Sequence, residues 1–307
     1  MAEPPVIPII CGPTASGKTA AALEVAKHVD IEIVSADSRQ MVRHLDIGTG
    51  KPTPEERRQV PFHLIDIVEP GVRYSAYRFI EDASRAISEI LERGRRPLLV
   101  GGTGFYLRAL TDGVVEIQTD DMVIRDQLEQ ELQIVGPERM HDRLKEIDPI
   151  EASRLHPNNR VRIVRALEIF LMTGKTKSEL TAHGHYRKSP YRYDYLCLIP
   201  ERAALYEKIN SRVEAMIGAG LIEEIKGLIA RGYKEQVRSA NIIGYNELLD
   251  FMGGAMTLEE AKRIIKQNSR RYAKRQMTWF RRQVGCRYFA NEGSLFNAVT
   301  PLLEGKV

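Results

Sequence analysis

Gly12-Pro13-Thr14-Ala15-Ser16-Gly17-Lys18-Thr19 satisfies the pattern G-x-x-x-x-G-K-[ST]. It follows an apolar run, Val6–Cys11, and opens a helical pattern from Thr19 to Val29, which is the context such a loop requires. The glycines let backbone N–H groups curl round a phosphate, and the helix N-terminus adds a positive dipole end. Lys18 supplies a mobile cation, and the Thr19 hydroxyl is suited to Mg²⁺. The stretch reads as a phosphate loop of the nucleotide-binding type.

Outward from the loop, apolar runs alternate with helical patterns. Ile31–Ser35, Phe62–Asp66 and Pro97–Val100 are strand candidates, and Ser75–Arg93 is a helix with Ser75 as its cap and Gly94 at its end. This alternation predicts a parallel α/β sheet. Pro8 lacks a ladder donor, so the paired part of the first strand is expected mostly after it. From about Asp120 to Gly174 the strand signal vanishes, and Met122–Val135, Pro137–Ile147 and Arg160–Met172 read as helices. A polar, aromatic-dotted stretch follows, with Tyr186-Arg-Lys188 and Tyr191-Arg-Tyr193 read as an inter-domain connection open to RNA contact. Tyr195–Ile199 is a fifth strand candidate; Leu205–Ile217, Leu221–Arg231 and Thr257–Gln283 are helices. The predicted fold class is α/β: a phosphate-loop NTPase-like parallel-sheet core with an inserted all-helical domain and a helical C-terminal portion. Its predicted boundaries are 1–115 and 191–307 for the core and 116–190 for the insertion.

The composition suits a soluble globular chain: 307 residues, 43% hydrophobic, formal net charge +4. It excludes disorder as the main state. No apolar run approaches a membrane span of about 18 residues, and the N-terminus lacks the order of a signal peptide, so a cytoplasmic location and no membrane partner are expected. Cys11, Cys197 and Cys286 are far apart in sequence and show no C-x-x-C spacing; His183-x-His185 is weak metal spacing.

A phosphate loop by itself points to ATP or GTP, hence to a kinase or NTPase. The strand candidate best placed to carry a metal-binding Asp, Arg96-Pro-Leu-Leu-Val-Gly-Gly, ends in glycine instead, and no Arg-rich lid follows. A diphosphate other than a nucleotide's is therefore an open reading. Ile33-Val-Ser-Ala-Asp37-Ser38-Arg39-Gln40 puts a carboxylate just past the second strand, where open α/β sheets bind ligands. Asp37 is placed to hold Mg²⁺ or take a proton, or else to cap a following helix.

Seven ordered motifs resemble the tRNA dimethylallyltransferases, from about Val6 to Arg281. They are Gly12–Thr19, Asp37–Gln40, Asp46-Ile-Gly-Thr-Gly-Lys51-Pro52, Gly101-Gly-Thr-Gly-Phe-Tyr106, Arg165-Ala-Leu-Glu168, Gly244-Tyr245 and Tyr272-Ala-Lys-Arg-Gln-Met-Thr-Trp-Phe-Arg281. The resemblance implies transfer of the allyl group of dimethylallyl diphosphate to N6 of the adenine 3′ of the anticodon, tRNA position 37. It implies tRNAs reading U-starting codons, a monomer, and the anticodon stem-loop as partner. Asp37 would accept the amine proton. Lys18 and Thr19, the latter through Mg²⁺, would hold the diphosphate together with Gly12, Pro13, Thr14, Ala15, Ser16, Gly17 and Arg165. Asp37, Ser38, Arg39, Gln40, Thr103, Arg125, Arg160, Arg162, Gly244, Tyr245 and Gln276 are implied tRNA contacts. Asn159 stands where the family commonly has Asp, which weakens the expected helix cap, and Arg271 stands where Gln is common.

Between Lys262 and Arg287 there are ten Lys or Arg and no acid. Lys262, Lys266, Arg270 and Lys274 recur every four residues, as do Arg271 and Arg275, which predicts a cationic helix face. RNA binding needs such charge for phosphates and flat rings for stacking, so Arg270, Lys274 and Arg275 join the expected tRNA contacts. The readings that compete with a tRNA prenyltransferase are an adenylate isopentenyltransferase, a phosphate-loop kinase and a non-catalytic RNA-binding protein.

Overall fold

The computed structural model describes residues 5–115, 122–182, 186–187, 189–283 and 285–305. The chain divides into two compact units, Met1–Thr111 with Ser189–Val307, and Asp112–Lys188.

The first unit is built on a sheet of β1 (Val6–Cys11), β2 (Ile31–Ser35), β3 (Phe62–His63) and β4 (Arg96–Gly101), joined after the second unit by β7 (Arg192–Leu198) and β8 (Arg287–Phe289). The order is β3-β2-β4-β1-β7-β8, and every pairing is parallel. β1, β2 and β4 are apolar throughout most of their length because helices cover the sheet. The Lys18–Ala26 and Glu292–Glu304 helices close one side through Ala22, Val25, Leu295 and Val299, which pack on Ile10, Leu98 and Leu196. The Ala76–Glu92 helix buries Phe79, Ala83 and Ile87; its Ser75 cap accepts from the Arg78 nitrogen at 3.1 Å. A satellite core gathers Leu221, Ile225, Leu228, Leu248 and Ile265 of the C-terminal helices.

β1 pairs with β4 only from Ile9 onward, as the missing Pro8 donor suggested, yet its ladder with β7 begins at Val6. The third strand is shorter than expected, and the fifth strand candidate starts three residues earlier, at Arg192. β8 and the Glu292–Glu304 helix were not anticipated from the sequence.

The second unit has β5 (Val114–Val115) paired antiparallel with β6 (Tyr186–Arg187), and helices spanning Met122–Ile147, Pro149–Ser153, Arg160–Thr173 and Lys177–Ala182. The first of these breaks at Gly136, whose φ is 81°, directly before Pro137, so it is two helices as the sequence pattern indicated. Leu128, Met140, Leu144, Ile163 and Leu167 form its core. Asn159 sits at the N-cap of the Arg160–Thr173 helix without a side-chain cap bond. His183 and His185 lie outside the described residues.

Candidate active site at the strand ends

Three neighbouring strands deliver the site. β1 runs into the phosphate loop, β2 into Asp37, and β4, between them, ends at Gly101–Gly102. A Cβ on Gly101 would run into the Ala36 carbonyl, so the middle strand can carry no side chain there. At these strand ends lies a cavity of about 510 Å³ lined by Lys18, Thr19, Asp37, Arg212, Tyr272 and Gln276, among others. The loop itself depends on Gly12: its φ is +145°, and a Cβ would collide with the Leu198 carbonyl of β7.

Within the loop, Lys18 Nζ donates to the Pro13 carbonyl at 2.6 Å. Burial lowers the Lys18 pKa to about 8, with Asp37 opposing that shift. Arg212, on the Arg202–Gly218 helix, is likewise lowered by burial and opposed by Asp37. Two cations and one carboxylate thus share a partly desolvated cavity, an arrangement suited to a multiply charged anion. The Ser16 hydroxyl is buried without a hydrogen-bond partner among the described residues.

Asp37 Oδ1 accepts from the Arg39 nitrogen at 2.9 Å, a local turn that fixes the carboxylate at the strand end. The Ser38 nitrogen donates to Thr103 Oγ1 at 3.0 Å, tying the ends of β2 and β4 together. Gln40 Nε2 donates to the Gly50 carbonyl at 3.0 Å, so this side chain organises the neighbouring loop while lining the cavity. That loop is held by Glu224, whose carboxylate accepts from the Asp46, Ile47 and Gly48 nitrogens and from the Tyr245 hydroxyl. Lys51, its side chain 1% exposed, pairs with Asp46 and Asp66.

Thr14, Ala15, Lys18, Thr19, Asp37, Ser38, Arg39, Gln40, Gly244, Arg275 and Gln276 all line the one cavity. Two expected tRNA contacts have other work. Tyr245 is fully buried and bonded to Glu224, so its side chain offers nothing to an RNA. Gln276 is buried between the Thr14 nitrogen and the Gly102 carbonyl.

The basic helix, Leu258–Phe280, is less uniformly cationic than its spacing implied. Lys262 and Lys266 both pair with Glu214 of the Arg202–Gly218 helix. Arg270 donates to Asn210 Oδ1 at 2.6 Å, Arg275 lies over the Tyr272 ring, and Lys274 and Arg275 are exposed. The outward charge is therefore concentrated in the helix's C-terminal half.

In the second unit, Arg125 and Arg165 both pair with the buried Glu168, and Arg160 and Arg162 are exposed. Arg212 was missed by sequence reasoning. It belongs to no short motif, and only the fold brings it to Lys18 and Asp37.

The IPP transferase family model matches residues 40–283, and an isopentenyl transferase model matches residues 5–65. A tRNA dimethylallyltransferase of Geobacter metallireducens is 51% identical over 274 residues, 89% of each chain. One of Geobacter sulfurreducens is 46% identical over 274 residues, 89% of this chain and 88% of the other. Among solved structures, a tRNA isopentenylpyrophosphate transferase of Bacillus halodurans aligns at TM-score 0.70 with 41% identity, covering 98% of this chain and 97% of that one. A eukaryotic dimethylallyltransferase captured acting on tRNA aligns at TM-score 0.81 with 28% identity, covering 94% of this chain and 75% of that one. With these motifs, this sheet order and these relatives, the chain belongs to the tRNA dimethylallyltransferase family, the IPP transferases.

Proposed function

We propose that this chain transfers the dimethylallyl group of dimethylallyl diphosphate to N6 of adenine 37, 3′ of the anticodon, in tRNAs reading U-starting codons, releasing diphosphate. The observation that carries this reading is that Asp37 and Lys18 face one cavity across the side-chain-free end of β4. The cavity has room for a flat base between a proton acceptor and an anion cradle.

An exocyclic adenine amine is a poor nucleophile, but an allylic carbon bears positive charge well. The carbon–oxygen bond to the diphosphate breaks with its electron pair leaving on oxygen, the N6–carbon bond forms, and the amine proton passes to Asp37. The barrier lies largely in the charge growing on the leaving diphosphate, which Lys18, Arg212 and the backbone N–H groups of Gly12–Thr19 are suited to hold. Asp37 orients the amine and takes its proton late. The adenine leaves its stack to reach the strand ends, as in other base-modifying enzymes. Ser38 and Arg39 line the cavity beside Asp37, and Thr103 holds the Ser38 nitrogen, an arrangement suited to contacts with the flipped nucleotide.

The donor set fits a Mg²⁺ held largely by substrate oxygens: the Thr19 hydroxyl and the Asp37 carboxylate line the cavity, and no carboxylate cage exists among the described residues. When bound, Mg²⁺ would neutralise part of the diphosphate charge. A cytoplasmic location belongs to the same reading, because tRNA is the acceptor. No helix among the described residues is long and apolar enough to cross a membrane.

The test is direct. Labelled dimethylallyl diphosphate is mixed with the protein and with bulk tRNA, AMP or a small phosphate acceptor. Label in tRNA, at adenine 37 on nuclease mapping, is the expected result. Label in AMP alone, or ADP formation when ATP is supplied, would overturn it.

A further inference from the structure

Cys11, Cys197 and Cys286, distant in sequence, converge in the fold. Their three sulfur atoms lie within 4.8 Å of one another, and all three are free thiols. Among the described residues no other trio of His, Cys, Asp or Glu comes together in this way. Cys11 is the last residue of β1, directly before Gly12. Cys197 is its register partner on β7. Cys286 precedes β8, which pairs with β7 at Leu196↔Arg287. Sheet hydrogen bonds fix the first two, both buried, while the third sits in the connection into the edge strand and is partly exposed.

We propose that these three cysteines form a three-thiolate site for a soft d¹⁰ cation of the cuprous class, set directly beneath the phosphate loop. The choice of ion follows from donor number and type. Three sulfurs round a metal at bonds of about 2.3 Å stand about 4 Å apart, close to the spacing seen here. Thiolate donors without oxygen or nitrogen select soft ions. A structural zinc site would require a fourth ligand, which no described His, Cys, Asp or Glu supplies. A disulfide would use only two of the sulfurs and needs them at about 2 Å. The partly exposed Cys286 gives the ion its way in.

The position gives occupancy a consequence. Cys11 immediately precedes Gly12, and Cys197 is its register partner, so the site adjoins the loop that leads to Lys18. A monovalent ion on three thiolates carries a net charge of about −2, since each ligand must shed its proton to bind. Placed under an anion cradle, that charge opposes the diphosphate. Loading the site therefore weakens pyrophosphate binding.

The full-length reduced protein is titrated anaerobically with Cu(I) in competition with a chromogenic cuprous chelator. The expected result is one equivalent withdrawn from the chelator, with a near-ultraviolet sulfur-to-copper charge-transfer band. Cys286→Ser, a change at the least buried of the three, should lose at least about 100-fold in affinity, because two thiolates leave the ion short of a donor. Circular dichroism checks that this variant is folded; should it not be, Cys197→Ala serves in its place. Pyrophosphate affinity should fall by about 3- to 10-fold in the loaded wild type and stay unchanged in copper-treated Cys286→Ser. The proposal is overturned if the wild type leaves the ion with the chelator, if Cys286→Ser takes it up as tightly, or if Zn(II) is bound and Cu(I) is not. It is equally overturned if mild peroxide joins two of the thiols while Cu(I) is not taken up.

Discussion

Gln276 Oε1 accepts a hydrogen bond of 2.9 Å from the Thr14 backbone nitrogen, linking the C-terminal basic helix to the phosphate loop across 262 residues of sequence. The same amide donates through Nε2 to the Gly102 carbonyl at 2.9 Å. One side chain thus sets the spacing between the end of β4 and the loop that precedes Lys18. Because Gln276 is on the helix that also carries Arg270, Lys274 and Arg275, the phosphate cradle and the basic surface share a single rigid support.

Gln276→Ala should leave the Gly102 carbonyl and the Thr14 nitrogen without their partner, a cost of about 1–3 kcal/mol for a buried polar group. The effect should fall on the loop's ligand: a KM for dimethylallyl diphosphate raised about tenfold or more, with affinity for tRNA less affected. Steady-state kinetics varying each substrate in turn checks this. An unchanged KM for the diphosphate would mean that the bridge does not set the loop.

Asp37→Asn keeps an oxygen to accept from the Arg39 nitrogen, so the turn survives while the proton acceptor is removed. Single-turnover rates should drop by about 10²–10⁴, the usual range for a positioned acid or base. Binding of tRNA should change little. A variant that reacts at a near-normal rate removes the proton-acceptor role.

Burial brings the Lys18 pKa down to about 8 in the empty site. Pyrophosphate favours the charged form, so the Lys18 contribution to affinity is fully present below about pH 7 and is lost as pH rises through 8. Dissociation constants should weaken by about tenfold between pH 7 and pH 9, one pH unit beyond the pKa costing one power of ten. Lys18→Arg, which stays charged throughout, should lack this limb and retain only the titration of pyrophosphate itself. Calorimetry across the pH range distinguishes the two profiles.

Replacing Arg270, Lys274 and Arg275 together with Ala should weaken tRNA binding and flatten its dependence on salt by up to about three units of slope, one for each phosphate left unneutralised. Lys262 and Lys266 already pair with Glu214, so their joint replacement should leave the slope nearly unchanged. Binding titrations between low and high salt, with circular dichroism to confirm folding, test both variants. Equal effects of the two would mean that the outward charge is not confined to the C-terminal half.

The phosphate loop, the strand–helix alternation and the break at Gly136–Pro137 were legible because each depends on residues close in sequence. Glycine, proline and periodic apolar side chains act on their own turn or face. Asp37 was legible for the same reason: it stands just past a strand, and parallel strands present their C-terminal ends to one crevice. Tyr245 was expected to touch tRNA only through the family resemblance; in the fold its ring is fully buried and its hydroxyl donates to Glu224, 21 residues earlier, a partner that no local pattern announces. The cationic helix face was overstated because helical spacing shows which charges align, and not that Glu214 of another helix stands opposite two of them.

The sequence alone therefore determined the local devices: a loop that wraps phosphate, a strand that ends in a carboxylate, a helix dense in cations. Tertiary structure decided which of them meet. Only the sheet order sets Gly101–Gly102 between Asp37 and Lys18 and so opens the cavity. Only helix packing brings in Arg212, and only the pairing of β1, β7 and β8 gathers three scattered cysteines. The reason is physical: backbone propensity and capping act over a few residues, while close approach of side chains is fixed by burial, which joins segments without regard to their separation along the chain.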